Sequence, residues 1–383
     1  MADAGTNGDI LLTACGAAAP APGVVDRMNR HLQREVEVGG YDAQDEVADE
    51  LASARDRVGA LLGLEPGDVS LTDSGTSATV SLFQAMVAGG WGRAGGLIVC
   101  DPREFGSNLN LLRRLAAASG VRLRLLDLTE EGHPDTGQLG TLVASGRVDL
   151  VWLSLAHAHA GWTNPVADVT AVLRERPEHT WLVLDACQSF GQLNESPTPL
   201  DPDGVIGTSR KWVRGPRGVG FAWVHPRRLE WLDPWPEASD SPLGTLERHE
   251  NPVAVQLGLG VALAHLEKVG VAETHRAVAK RAKWLRGELG AMSTWRNIDD
   301  PHTASAMVSF APAGPIGTHE AAVADAKAAL AGRGVRLTAT HRHHAPMGME
   351  VLGAGAALRL GPHADQPWEE LHRAAEMMAQ VLT

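Results

Sequence analysis

The chain has 383 residues, 44% of them hydrophobic and 21% charged, with a formal net charge of −12. That length exceeds one small core, so two domains are expected, and the composition is that of an ordinary soluble globular protein. The acidic balance argues against an extended nucleic-acid surface, and no apolar run reaches membrane-spanning length.

Leu12-Thr-Ala-Cys15 resembles a lipoprotein cleavage site, but Asp3 and Asp9 precede it and no basic or long apolar stretch does. With Cys100 and Cys187 it makes three scattered cysteines without C-x-x-C spacing, so a reduced, cytoplasmic protein is expected. Residues 24–38 and 42–63 read as helices; in the second, Val47, Leu51, Ala54, Val58 and Leu61 recur at helical spacing. Gly39-Gly40 breaks the pair just before Tyr41, the one tyrosine of the chain. From residue 69 short apolar runs alternate with helical stretches: 69–71, 97–100, 121–126, 150–153, 182–184 and 204–206. That alternation predicts helices covering a largely parallel sheet, which collects ligands at the carboxyl ends of its strands. The segment from Asp233 to Pro242, rich in Pro and Trp, reads as a loop. Helices are expected over 252–269 and 271–289. A strand (306–310), a helix (319–332), two strands (335–338 and 356–360) and a final helix follow, an α+β tail.

Two segments carry chemistry. Trp181-Leu-Val-Leu-Asp-Ala-Cys-Gln188 is a buried-strand pattern that runs into an acid, and Gly207-Thr-Ser-Arg-Lys-Trp-Val-Arg-Gly-Pro-Arg-Gly-Val-Gly220 frames Lys211. The glycines do not form a dinucleotide turn, because a strand-like run follows where a helix is required, and no P-loop Gly-Lys-Ser/Thr is present. Pyridoxal phosphate (PLP) needs an amine for its aldehyde and a carboxylate for its ring nitrogen; Lys211 and Asp185 supply both. An aspartate closing an apolar strand is costly to bury unless paired. Asp73-Ser-Gly-Thr-Ser77 follows a strand and opens a helix. Gly75, Thr76 and Ser77 there suit a phosphate, although the same residues make an ordinary helix cap.

Together these segments resemble the fold-type I PLP enzymes of the class V aminotransferase group, which includes cysteine desulfurases, kynureninase and isopenicillin epimerase. The resemblance runs nearly end to end. Residues 34–41, 101–109 and 209–220 are most similar to the hercynylcysteine sulfoxide lyases of ergothioneine biosynthesis. The resemblance implies an α/β fold with a large PLP-binding domain over 23–251, built on a mostly parallel, seven-stranded type of sheet. A smaller α+β domain would take 1–22 and 252–383, and the assembly would be a homodimer. It also implies site roles. Lys211 would bind the cofactor covalently and act as base, Asp185 would hold the ring nitrogen, and Gln188 would approach the ring hydroxyl. Phe105 would stack on the ring, Thr208 would reach the phosphate, and Asn108 would lie on the substrate side. Arg359, inside an apolar strand, would grip the substrate carboxylate with its planar fork.

Departures are visible. Where the group carries Ser-Asn before the glycine matching Gly161, this chain has His157 and Ala158, and His159 is the expected stand-in toward the ring hydroxyl. Arg210 replaces the histidine common in desulfurases. The partner-facing Gly-Thr-x-Asn appears as Glu247-Arg-His-Glu-Asn251, so His249 and Asn251 are the candidates for contact with the partner subunit. His157/His159 and His341/His343/His344 have spacings open to metal binding, but no metal is expected. Tyr41 either crosses to the partner's substrate or is a buried packing residue.

Desulfurase chemistry in this group needs a cysteine on the loop ahead of the Arg359 strand, and residues 338–355 contain none. The expected reaction is β-elimination at the C–S bond of an S-substituted cysteine or its sulfoxide, giving a sulfur product, pyruvate and ammonia. A tailoring enzyme of secondary metabolism (antibiotic biosynthesis of the lincosamide type) acting on a cysteine S-conjugate is the alternative, and an aminotransferase the next. The expected partner is a small-molecule amino acid, not a membrane or a nucleic acid.

Overall fold

The computed structural model describes residues 8–64, 68–194, 196–232, 246 and 251–382. The strands are β1 (Ile10–Leu12), β2 (Asp68–Thr72), β3 (Leu97–Cys100), β4 (Arg122–Leu125), β5 (Val148–Ser154), β6 (Trp181–Asp185), β7 (Gly204–Thr208) and β8 (Gly220–Val224), then β9 (Trp295–Asn297), β10 (Val308–Pro312), β11 (Val335–His341) and β12 (Ala356–Leu360). The helices are α1 (Val24–Val38), α2 (Gly40–Asp45), α3 (Ala48–Leu62), α4 (Gly75–Ala88), α5 (Gly106–Ser119), α6 (Thr136–Ala144) and α7 (Val166–Leu173), then α8 (Val253–Val269), α9 (Val271–Leu289), α10 (His319–Gly332), α11 (Pro346–Val351) and α12 (Trp368–Val381). No single helix among the described residues is long and apolar enough to cross a membrane.

Seven strands form the larger sheet in the order β2-β8-β7-β6-β5-β3-β4. Only β8 runs against its neighbours. The fold is α/β, as the alternating pattern predicts. β5 and β6 are covered on both faces, which is why they read as unbroken apolar runs. Residue parity sorts the two layers. Leu150, Trp152, Trp181 and Val183 pack with α4 and α5, while Val151, Leu153, Leu182 and Leu184 pack with α3, α6, α7 and α8. The second sheet has the order β1-β11-β12-β10-β9, with β1 parallel to β11 and a core shared with α9, α10 and α12.

Several elements differ from the sequence reading. The helix expected over 42–63 is two helices, broken at Val47, whose φ −117° and ψ 14° are not helical. β1, β9 and α11, three to six residues each, were not anticipated. The boundary expected at residue 252 falls just before α8, yet Leu259, Ala262, Leu263 and Leu266 of that helix pack into the first core. The loop expected over 233–242 and His249 lie outside the described residues.

Candidate active site

The carboxyl ends of β5, β6 and β7 and the segments that follow β2 and β3 open on one cavity, the place where sheets of this kind bind ligands. On one side stands the start of α4. Ser74 caps it, its Oγ accepting from the Ser77 N–H at 3.1 Å. Gly75 and Thr76 line the cavity at the positive end of the helix dipole. Ser77 is the exception among the expected phosphate residues: its hydroxyl meets Ser74 Oγ at 3.0 Å, and it is not part of the cavity wall. The close approach here depends on glycine. A Cβ on Gly220 would stand 2.2 Å from the Ser74 carbonyl carbon and 2.3 Å from the Gly75 nitrogen, and one on Gly75 would stand 2.7 Å from Cys187 Sγ.

Asp185, at the end of β6, is held at both oxygens. Oδ1 accepts from the Cys187 N–H at 2.7 Å, and Oδ2 accepts from Asn108 Nδ2 at 2.7 Å. The same Asn108 nitrogen donates to Glu104 Oε1 at 3.1 Å. Glu104 also accepts from the Phe105 N–H at 2.6 Å, from Trp152 Nε1 at 3.1 Å and from Ser154 Oγ at 2.6 Å. Burial and the Asp185 charge push the Glu104 carboxyl up to about 7, against the four donors, which favour its ionised form.

Lys211 is buried and lines the cavity beside Asp185 and Thr208. Burial lowers its pKa; Arg210 and Arg359 add to that, while Cys187 and Asp185 oppose it. The loop bearing it is folded tightly: Arg214 N–H donates to Lys211 O at 3.0 Å, and Ser209 Oγ donates to Val219 O at 3.1 Å. Phe105 lines the cavity and stacks on His344 at 6.5 Å between ring centroids. Gln188 also lines it, but both ends of its amide are engaged: Nε2 donates to Cys15 O at 2.9 Å, and Oε1 accepts from Trp212 Nε1 at 2.9 Å. Arg359, on β12, is not itself on the cavity wall; it lies behind it, donating to the carbonyl of the wall residue Ala158, and its Nη2 donates to Ala339 O at 3.1 Å. Its Nε is buried without a hydrogen-bond partner among the described residues.

The structure corrects the expectation for His159. After β5 the chain bends, and of residues 156–159 Ala156 and Ala158 are the ones on the cavity wall. His159 faces the other way, against α11, where a Cβ on Gly348 would lie 2.7 Å from its ring. His157 lies with it, its ring 5.4 Å away and its Nε2 3.5 Å from Asp101 Oδ2. Tyr41 is 73% exposed, which removes the reading of a buried packing residue. Neither it nor the half-buried Asn251 lines the cavity of this subunit. Sequence reasoning missed the segment just after β1. Cys15 O and Gly16 O accept from Gln188 and Arg210, and the Ala18 and Ala21 N–H groups donate to Arg210 O and Arg214 O at 2.8 and 2.7 Å. No motif marks these main-chain contacts.

The donor set fits PLP: a desolvated amine, a strand-end acid, and a helix terminus brought to the cavity by close packing at Gly75 and Gly220. The aminotransferase class-V family model matches residues 10–373. The chain belongs to that family. Its cofactor is pyridoxal 5′-phosphate. The probable hercynylcysteine sulfoxide lyase of Mycobacterium tuberculosis is 29% identical over 364 residues, covering 92% of this chain and 85% of the relative. A probable cysteine desulfurase of Streptomyces coelicolor is 25% identical over 272 residues, covering 65% of this chain and 63% of the relative. The apo cysteine desulfurase of Thermococcus onnurineus shares the fold with a TM-score of 0.84 at 20% identity, covering 99% of this chain and 96% of that one.

Proposed function

We propose that this class-V enzyme is a carbon–sulfur lyase that cleaves an S-substituted cysteine, or its sulfoxide, by β-elimination. The observation that carries the reading is the placement of thiols. The loop ahead of β12 presents His341, His343 and His344 and no cysteine. The one thiol on the cavity wall, Cys187, sits in the floor against Gly75, and burial together with Asp185 pushes its pKa well up. A thiol kept protonated there is a poor acceptor for sulfur, so the sulfur leaves as a fragment of the substrate.

Bound PLP supplies the electron sink that makes the substrate's α-hydrogen acidic. Lys211 would be its covalent anchor and the base that takes the substrate's α-proton; burial lowers its pKa, so the amine can be neutral and accept that proton. Arg359 turns its free donors to the substrate carboxylate, with the Ala158 and Ala339 carbonyls fixing its plane. Asp185 holds the ring nitrogen, and Phe105 covers the ring. Loss of the α-proton with the Cβ–S electron pair leaves a thiolate, or a sulfenate from a sulfoxide. The three-carbon enamine left behind takes up water to give pyruvate and ammonia.

The enzyme acts as a homodimer in this reading. Val25, Leu32, Val36 and Tyr41 are 53%, 48%, 88% and 73% exposed along α1 and α2, an apolar face that a second subunit would cover. The test is a product assay on cysteine S-conjugates and their sulfoxides. Equimolar pyruvate and ammonia are expected; an aldehyde with carbon dioxide, or a keto acid retaining the sulfur, would sink the lyase reading.

A further inference from the structure

Most buried carboxylates of this protein are answered by arginine. Asp101 meets Arg103 at 3.0 Å, Asp203 meets Arg228 at 2.7 Å, and Asp299 meets Arg286 at 2.8 Å. Glu104 and Asp185 are the contrast: among the described residues no arginine or lysine pairs with either. Glu104 is fully buried, and its two oxygens take four donors. Three of those donors are N–H groups that cannot accept, so the hydrogen bonding of the pocket favours a carboxylate and opposes the upward push of burial and of the Asp185 charge. One nitrogen then joins the two acids: the hydrogens of Asn108 Nδ2 go to Glu104 Oε1 at 3.1 Å and to Asp185 Oδ2 at 2.7 Å. Neutral donors relieve the desolvation of such a pair but do not cancel its charge. A cation delivered by the ligand would, and a protonated pyridine ring is one.

We infer that Glu104 is a positioning residue for the cofactor's ring nitrogen: through the Asn108 amide it stands a second carboxylate behind Asp185 and so keeps the ring proton in place. This rests on the reading of Asp185 as the partner of that nitrogen. Glu104 touches neither cofactor nor substrate. It fixes the amide plane that aims Asp185, and its negative potential makes Asp185 a stronger acceptor. Of its four neighbours only the Ser154 hydroxyl could turn to accept a hydrogen, so Glu104→Gln keeps the size and most of the hydrogen bonding while removing the charge.

The test compares two cofactors on the apoprotein: PLP, and its carbocyclic analogue with C–H in place of the ring nitrogen. Glu104→Gln is expected to weaken PLP binding roughly tenfold, the low end of what losing a supporting partner costs at bound metals. It is expected to leave analogue binding at the wild-type value. Equal weakening of both cofactors, or no weakening of either, would overturn the inference, since a merely structural role cannot tell the two rings apart. Asp185→Asn is the control. If it discriminates between the rings and Glu104→Gln does not, only the role of Glu104 fails; if Asp185→Asn does not discriminate, the assignment of Asp185 has failed and this inference falls with it. Should Glu104→Gln not fold, Asn108→Ala breaks the same link and must show the same selective loss; an equal loss of both cofactors there is equally fatal.

Discussion

Two strands of the large sheet run out into an aspartate, β3 into the buried Asp101 and β6 into the half-buried Asp185, and the sequence around them looks alike: a hydrophobic run, then the acid. Their surroundings differ. Asp101 accepts from the Arg103 N–H at 2.8 Å and pairs with its guanidinium, which passes on to Asn164 at 3.1 Å and lies over the Trp162 ring. Arg103 and His157 pull the Asp101 carboxyl down to about 2 although burial pushes it up. Asp185 has only neutral donors and a cavity in front of it. An acid that the chain neutralises from within is part of the frame; an acid left short of a cation is waiting for a ligand.

The sharpest way to test the contrast is on the cavity side. Lys211→Ala should lower turnover by about 10³-fold or more, since anchor and base are lost together. Borohydride treatment should no longer fix PLP to the chain; retained turnover, or fixation at another lysine, would break the assignment. On the frame side the expected effect is on stability. Asp101→Asn leaves the Arg103 guanidinium uncompensated, and breaking a buried pair costs about 3–5 kcal/mol. Urea unfolding should show that loss while the folded fraction keeps its affinity for PLP; a protein of normal stability with impaired binding would reverse the roles of the two acids.

Acid should find the frame as well. Burial lowers the His157 pKa from 6.5 to about 3, with Arg103 adding to the shift and Asp101 opposing it. Between those values the unfolded chain binds a proton that the folded one refuses. This contribution is therefore complete above about pH 6.5 and is lost as the pH falls toward 3. From pH 7 to pH 5 the apoprotein should lose about 2 kcal/mol more than His157→Gln does; identical pH profiles would show that the ring takes up its proton without cost. The smallest effect is expected at Tyr41. Its exposed phenol should tolerate Tyr41→Phe with less than about 0.5 kcal/mol lost, while kcat/KM for an S-conjugate falls several-fold in the dimer. A variant that melts early yet turns over normally would return Tyr41 to a packing role.

The contrast also explains what could be read from the chain. β5 to β8 and their strand-end residues were legible because burial on both faces writes long apolar runs, and glycines write the tight loop around Lys211. β1, β9 and α11 were not, since three to six residues hold no period. His159 was misplaced because the string His157-Ala-His159 does not say which side chain of a bending loop faces the cavity, and the small one, Ala158, does. Hydrogen bonds between loops distant in sequence, such as Arg103 with Asn164, leave no local mark either. The main-chain contacts of residues 15–21 could not have been found, because any side chains can make them.

Those contacts bear on how the protein is made. β1 is hydrogen-bonded to β11, the Ala14 N–H donates to Gly361 O, and the Gly361 N–H donates to Leu12 O. A ribosome delivers roughly 5–20 residues per second, so the strap from Thr13 to Ala21 emerges tens of seconds before β11 and β12 exist to receive it. The large sheet can collapse in that interval, with Gln188, Arg210 and Arg214 still lacking the carbonyls and N–H groups they will meet. The strap thus waits about 300 residues of synthesis for its seat, and the floor beneath Lys211 closes only once β11 and β12 are out. A fusion that tethers or stiffens residues 10–21 should therefore yield protein that looks folded by far-UV dichroism but does not retain its cofactor.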